Sequence, residues 1–207
     1  MLNSSESWNL LEPSQPPLHC WPEGSLIAKL MHLEEVCFDP ETPFVKASGM
    51  NRYRILDPMG SLLMTLPIDG GRSHHQNLGS VRLVQRVHWS SVHWKRLINT
   101  YRRAPYFEYW ADDLEKIIRW PDSLLFDYNV RILDYLMAKL RHPLKIRIGS
   151  VTQKPWPQEK VSPPLPSYYQ HFEEKLGFVP GLSVLDLLLQ CGPNEAKAYL
   201  LGLSFNP

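Results

Sequence analysis

No run of about 18 apolar residues occurs anywhere in the 207-residue chain, so no membrane-spanning helix is expected. The opening MLNSSESWNLLEPSQPP lacks a basic stretch followed by an apolar core, so no secretory leader is expected either. Cysteine is scarce and odd in number: Cys20, Cys37 and Cys191 are far apart, with no CxxC and no Cys/His spacing of a zinc site. They read as reduced thiols in a cytoplasmic protein. The few glycines form neither a P-loop nor a G-x-G-x-x-G, and no G-x-S-x-G elbow surrounds a serine, which removes the common nucleotide-cradling and serine-hydrolase motifs. His74 and His75 are adjacent, point apart, and make a poor metal pair without further ligands. No metal and no cofactor is expected.

Acidic residues are missing from one long stretch. Between positions 45 and 103 ten Lys or Arg face only Asp57 and Asp69, whereas the remainder of the chain after 103 is close to balanced. A one-sided basic segment points to an anionic partner such as a phosphate or carboxylate; the alternative is that acids from elsewhere neutralise it. Hydrophobic content of 43% supports a sizeable core in one domain.

The chain divides into an irregular Pro/Ser-rich arm, 1–24, and a single domain, 25–207. A short helix over 25–33 precedes a strand over 35–39 in which Val36 and Phe38 alternate with Cys37. Strands over 52–56 and 61–68 form a hairpin around Asp57-Pro58-Met59-Gly60. A polar loop over 69–79 leads to a strand over 81–87. Helices follow over 90–103, 108–119 and 123–141, separated at Pro105 and Pro121, with Ser90 or Ser91 as cap of the first. Trp94, Leu97, Ile98 and Tyr101 give that helix an apolar stripe, and Leu125, Ile132, Leu133, Leu136 and Leu140 do so for the third, with Asn129 unexpectedly on the same face. A strand over 145–148 precedes an exposed connector, 150–166, holding five prolines. Residues 168–176 read as a short helix. A helix over 183–190, capped by Ser183 with Asp186 in a capping-box-like position, stops at Gly192-Pro193, where a last helix begins. The fold class is α+β: a mostly antiparallel sheet from the first half, covered by helices from the second.

Several side chains carry chemistry. Arg52 can grip a carboxylate or phosphate by a bidentate fork, with Lys46 and Asn51 completing the grip; otherwise these form a solvated strand face and a turn. His93, in the first turn of its helix, is either a neutral general base or a buried histidine bonded to the strand below. Tyr101 and Arg103 offer stacking and charge, or else core and surface. Asp186 either caps its own helix or, if that helix faces the basic side, orients His93 or holds an amine, and Tyr169 and Gln170 come with it. No strand has the aromatic pattern of an RNA-recognition sheet, so specific nucleic-acid binding is not expected.

Four segments, in order, resemble the WbqC-like family, in its shorter, Bacteroidetes-type variety. They are Phe44-Val45-Lys46 with Asn51-Arg52-Tyr53-Arg54-Ile55; Leu63 to Ile68 (LMTLPI); the pattern H-W-x-x-L-x-x-x-Y-x-x-x-P-Y-F from His93 to Phe107; and Tyr169-Gln170-x-Phe172 with Phe178 to Leu189 and Cys191-Gly192. The resemblance spans roughly 26–202. It implies a glycyl or aminoacyl transferase of surface-polysaccharide (O-antigen) biosynthesis, and it carries the family's K…N-R-x-R/x-I pattern onto Lys46, Asn51 and Arg52. Two functions stand: a transferase moving a glycyl or related acyl group onto a sugar precursor, with His93 as base, or a non-catalytic accessory protein binding a nucleotide sugar, activated amino acid or phosphate in the same basic cleft. The proline content of 150–166 generates a test of the domain layout: limited proteolysis should cut there, or within 70–79, before it cuts inside 90–141.

Overall fold

In a computed structural model of the chain, residues 16–46, 48–69, 76–84, 88–119, 124–150 and 165–203 are described. The start of the arm, His74 and His75, the end of the expected 81–87 strand and nearly all of the connector lie outside them. The order is α1 (Gly24–Leu30), β1 (Glu35–Phe38), β2 (Arg52–Asp57), β3 (Gly60–Thr65), a 3₁₀ turn (Leu78–Ser80), α2 (Trp89–Tyr101), α3 (Phe107–Arg119), α4 (Leu125–Lys139), β4 (Lys145–Ile148), α5 (Glu173–Leu176) and α6 (Val184–Leu201). Helices and strands are both present, so the chain is α+β.

The sheet differs from the expectation of a mostly antiparallel sheet drawn from the first half. Two two-stranded sheets form among the described residues. β2 and β3 make the expected hairpin, with Arg52 opposite Thr65 and Asp57 opposite Gly60. Gly60 takes φ +120°, which a side chain resists, and the Met59 amide donates to Asp57 Oδ1 at 3.1 Å, closing the turn. β1 instead pairs in parallel with β4, so Val36 lies beside Ile146 and Phe38 beside Ile148. Parallel strands need a long crossover, and here the β2–β3 hairpin, the 3₁₀ turn and three helices supply it. In the described part of the strand expected over 81–87, residues 81–84, the pairing consists of single bridges, Leu83 to Ile68 and Arg82 to Leu124.

Helix ends also shift. α2 starts at Trp89, ahead of the expected serine cap, because the Trp89 ring is buried and its Nε1 donates to the Val84 carbonyl at 3.1 Å. Ser183 is the cap of α6, its side chain accepting from the Leu185 amide. Of the 168–176 stretch only Glu173–Leu176 is helical, since Phe172 before it sits in the left-handed region at φ 73°.

The interior is one cluster joining all layers. α1 packs on α6, and the start of α6 is stitched to two segments: the Val184 amide donates to the Pro22 carbonyl, just before α1, and the Ser183 amide to the Arg54 carbonyl in β2. Asn129, on the apolar face of α4, donates through Nδ2 to the Met50 carbonyl at 2.8 Å and lies 3.5 Å from that of Leu18. It thus holds the arm and the loop before β2 on the helix, which is why a polar residue interrupts that stripe.

α6 is two helical pieces meeting at Gly192, whose φ 78°, ψ 173° lies in a region nearly closed to other residues. The Tyr106 ring fills the space beside it, 2.3 Å from where a Cβ would stand. Gly192→Ala should therefore lower stability by at least about 1–3 kcal/mol, read as an earlier urea midpoint, while Ala at the exposed neighbour Asn194 should leave it nearly unchanged.

Candidate functional site

The β2–β3 hairpin separates the expected site residues by face, because successive side chains of a strand point to opposite sides. Tyr53 and Ile55 are buried, Arg52 is half-buried, and Arg54 is exposed. On the outer side Arg54 donates from Nη1 to Ser61 Oγ at 3.0 Å, and its charge acts on Glu23, whose carboxyl is raised by burial and lowered by that guanidinium. Arg52 has its Nε enclosed with no hydrogen-bond partner. Asn51, immediately before it, is buried; its Nδ2 donates to the Leu66 carbonyl at 3.0 Å, while its Oδ1 has no partner. Lys46 is exposed in the loop that turns back to Asn51, a loop closed by the Ser48 hydroxyl on the Val45 carbonyl and the Met50 amide on Ser48 Oγ.

His93 lies on the inner side. Its Nδ1 is 3.0 Å from the Tyr53 hydroxyl, its ring meets the rings of Tyr53 and Trp89 edge-on, and only 6% of the residue is exposed. Burial lowers its pKa to about 4, opposed by a hydrogen bond to the Thr65 backbone. Neutral imidazole that donates from Nε2 to the Thr65 carbonyl and accepts the Tyr53 hydroxyl at Nδ1 satisfies both nitrogens. His93 thereby ties α2 to both strands of the hairpin. Cys20 is nearby, fully buried, its thiol pushed up by desolvation.

Eight residues further along α2, about 12 Å at the helical rise, Tyr101 anchors a second polar cluster. It is completely buried, and its hydroxyl accepts from the Leu56 amide at 3.1 Å. Asp186, also completely buried, takes the Tyr168 hydroxyl at 2.8 Å and Gln170 Nε2 at 3.3 Å on Oδ2. Burial pushes its pKa up to about 6, against the hydrogen bonds of Tyr168, Tyr101 and Gln170. Its carboxylate thus links α6 to the segment before α5 and to Tyr101 of α2, while Oδ1 has no hydrogen-bond partner and the cap of α6 is Ser183. Gln170 also closes the loop around α5, exchanging hydrogen bonds with both backbone groups of Val179.

The expected residues accordingly occupy three places, apart from two on the surface. Tyr101, Gln170 and Asp186 come together, joined by Tyr168. His93 pairs with Tyr53. Lys46, Asn51 and Arg52 belong to the hairpin and its approach, while Tyr169 and Arg103 are exposed. Tyr53 and Tyr168 were not singled out in the sequence, although each adjoins a residue that was; nothing local distinguishes a core tyrosine whose hydroxyl has a charged or imidazole partner. A groove of about 770 Å³ between α3 and α4, lined by Asp113, Lys116, Arg131, Tyr135 and Lys139, holds none of the expected residues. No group of three or more His, Cys, Asp or Glu that could hold a metal occurs among the described residues. No described helix is long and apolar enough to cross a membrane.

The family model of the WbqC-like protein family matches residues 19–161, more than two thirds of the chain. The chain belongs to this family. The matched span of this WbqC-like protein includes Lys46, Asn51, Arg52, His93, Tyr101 and Arg103, and ends before Tyr169, Gln170 and Asp186. No curated protein and no solved structure matches the chain.

The two buried titrating groups work in opposite directions with pH. The folded pKa of His93 lies below its unfolded value of 6.5, so its contribution is full above 6.5 and is lost as pH falls toward 4. His19, lowered to about 4 by burial, acts in the same sense. The folded pKa of Asp186 lies above its unfolded value of 3.8, so its contribution is full below 3.8 and lost as pH rises through 6. Urea unfolding between pH 7 and 4 should therefore show a net loss of stability on acidification. His93→Gln should flatten that loss, by on the order of 3 kcal/mol, and Asp186→Asn should steepen it. An unchanged slope in His93→Gln would contradict the neutral, buried state of the ring.

Proposed function

We propose that this WbqC-like protein binds an anionic small molecule, of the nucleotide-sugar or sugar-phosphate kind, through Arg52 on the outer side of the hairpin, in surface-polysaccharide assembly. The observation that carries this reading is Arg52 itself. A half-buried guanidinium with an enclosed Nε and no carboxylate bonded to it among the described residues bears a desolvation cost, which a bound phosphate or carboxylate offsets through charge-assisted hydrogen bonds. Lys46 adds an exposed cation at the loop leading into the strand, whereas Asn51, buried and bonded to the Leu66 carbonyl, holds the backbone there rather than the ligand. Family membership supports the pathway assignment, since polysaccharide biosynthesis is the family's association.

Transfer of a glycyl or other aminoacyl group is the second reading, favoured by the same family membership. It needs a base other than the two expected ones in their folded states: His93 has both ring nitrogens engaged on the opposite side of β2 from Arg52, and Asp186 is sealed among tyrosines. A transferase mechanism would then place the reacting amine at the hairpin's outer side and leave His93 as the pin that holds Tyr53 and α2.

A thermal-shift and calorimetric series with uridine diphosphate sugars, inorganic phosphate and a non-hydrolysable glycyl-adenylate analogue tests both readings. Binding of a phosphate compound that Arg52→Ala weakens about 10- to 100-fold, the worth of one charge-assisted contact, with an unchanged unfolding midpoint in the absence of ligand, supports the proposal. Unimpaired binding by Arg52→Ala would refute it. Turnover of an aminoacyl donor with a sugar acceptor would move the assignment to the transferase.

A further inference from the structure

The exposed side of α2 is a second cationic surface, separate from the Arg52 side of the hairpin. Lys95, Arg96, Arg102 and Arg103 are all exposed, and at spacings of three, four and seven residues they follow one side of the helix and its C-terminal turn, with Asn99 between the pairs. No acidic residue occurs from Trp89 to Arg103. None of the four cations has an ion-pair or hydrogen-bond partner among the described residues. The same side begins with an apolar residue, Val92, 55% exposed. The helix dipole accounts for basic residues at the C-terminal end, Arg102 and Arg103, but not for Lys95 and Arg96 in the middle.

The shape of this surface limits what it fits. It is the convex side of a helix, and these residues line neither the groove between α3 and α4 nor the one at Asp69, Gln76, Ser80 and Arg82. A small ligand would find no walls there; an extended anionic surface would meet all four cations at once. A nucleic acid wrapping the helix would also reach the adjoining α3, which packs on α2 and exposes Glu108, Asp112 and Asp113. A bilayer, unlike a duplex, also has an apolar layer for the exposed Val92 to meet. We propose that the Val92–Arg103 side of α2 is a peripheral docking surface for an anionic lipid bilayer.

Each Lys or Arg held near an anionic membrane surface strengthens binding roughly fivefold, an effect confined to about a Debye length. Four cations together amount to several hundredfold, enough for reversible association and not for stable anchoring without a second signal. The proposal is independent of the Arg52 reading, because no residue is shared between the two.

The test is sedimentation of the full chain with sucrose-loaded vesicles of phosphatidylcholine containing about one third phosphatidylglycerol, in low salt. Binding is expected, with at least tenfold less on pure phosphatidylcholine vesicles and a comparable loss in about 0.5 M salt. Lys95→Gln/Arg96→Gln/Arg102→Gln/Arg103→Gln should lose binding by at least a hundredfold while keeping its far-UV circular dichroism and unfolding midpoint. A control removing two cations elsewhere, Lys145→Gln/Arg147→Gln, should bind as the parent does. If the fourfold variant is poorly folded, the pair Lys95→Gln/Arg96→Gln should still show at least a tenfold loss. Equal binding to both vesicle types, parental binding by these variants, or tighter binding to a 20-base-pair DNA duplex at equal phosphate concentration would overturn the proposal.

Discussion

Every residue from Leu182 to Gln190 is buried, and a helix that is apolar on all sides must be enclosed on all sides. That requirement arranges the elements described around it. α1 lies against α6, the strand residues around Arg54 bond the backbone of Ser183, and the Tyr106 amide at the entrance to α3 donates to the Leu189 carbonyl. One carboxylate, that of Asp186, sits inside this apolar helix. An ionised carboxylate in such a place is expensive unless it is hydrogen-bonded, and two tyrosines and a glutamine are drawn in from α2 and from the segment before α5. The same side chain that costs solvation therefore fixes how the C-terminal half meets the first half.

The elements that depend on local chemistry could be read directly. The hairpin at Asp57–Gly60 is encoded by Pro, Gly and alternating apolar residues, and the helix stop at Gly192-Pro193 by backbone restriction. Asn129 was visible as an anomaly, and its cause became clear only once the Leu18 and Met50 carbonyls were placed against it. The pairing of β1 with β4 was not legible, because four-residue strands carry too little pattern to name a partner more than a hundred positions away. The roles of His93 and Asp186 were ambiguous for a related reason: residue type tells that a group can titrate, and only burial and partners tell whether it meets a substrate. Both turn out to be enclosed groups whose polar atoms hold secondary structures together.

The hairpin accordingly works as a partition. Its inner side is aromatic and imidazole, with Tyr53 packed against Trp21 and His93. Its outer side is cationic, with Arg52 and Arg54 spaced so that they share it. A single stretch, Asn51 to Ile55, thus supplies both the structural pin and the candidate ligand contact, and a change at one position need not disturb the other. Family resemblance in that stretch reports on both duties together.

The bridge between Glu23 and Ser183, like the parallel pairing of β1 with β4, has a consequence for how the protein is made. Synthesis at about 5–20 residues per second leaves roughly 10–30 s between the appearance of Glu23 and that of Ser183. During that interval Trp21, α1 and the inner side of the hairpin have been translated without the helix that covers them. Non-local closure of this kind slows folding, and the exposed apolar surface is what chaperones bind. The newborn chain is therefore vulnerable until Ser183 and the residues after it have been made, and α6 is the helix that ends that exposure.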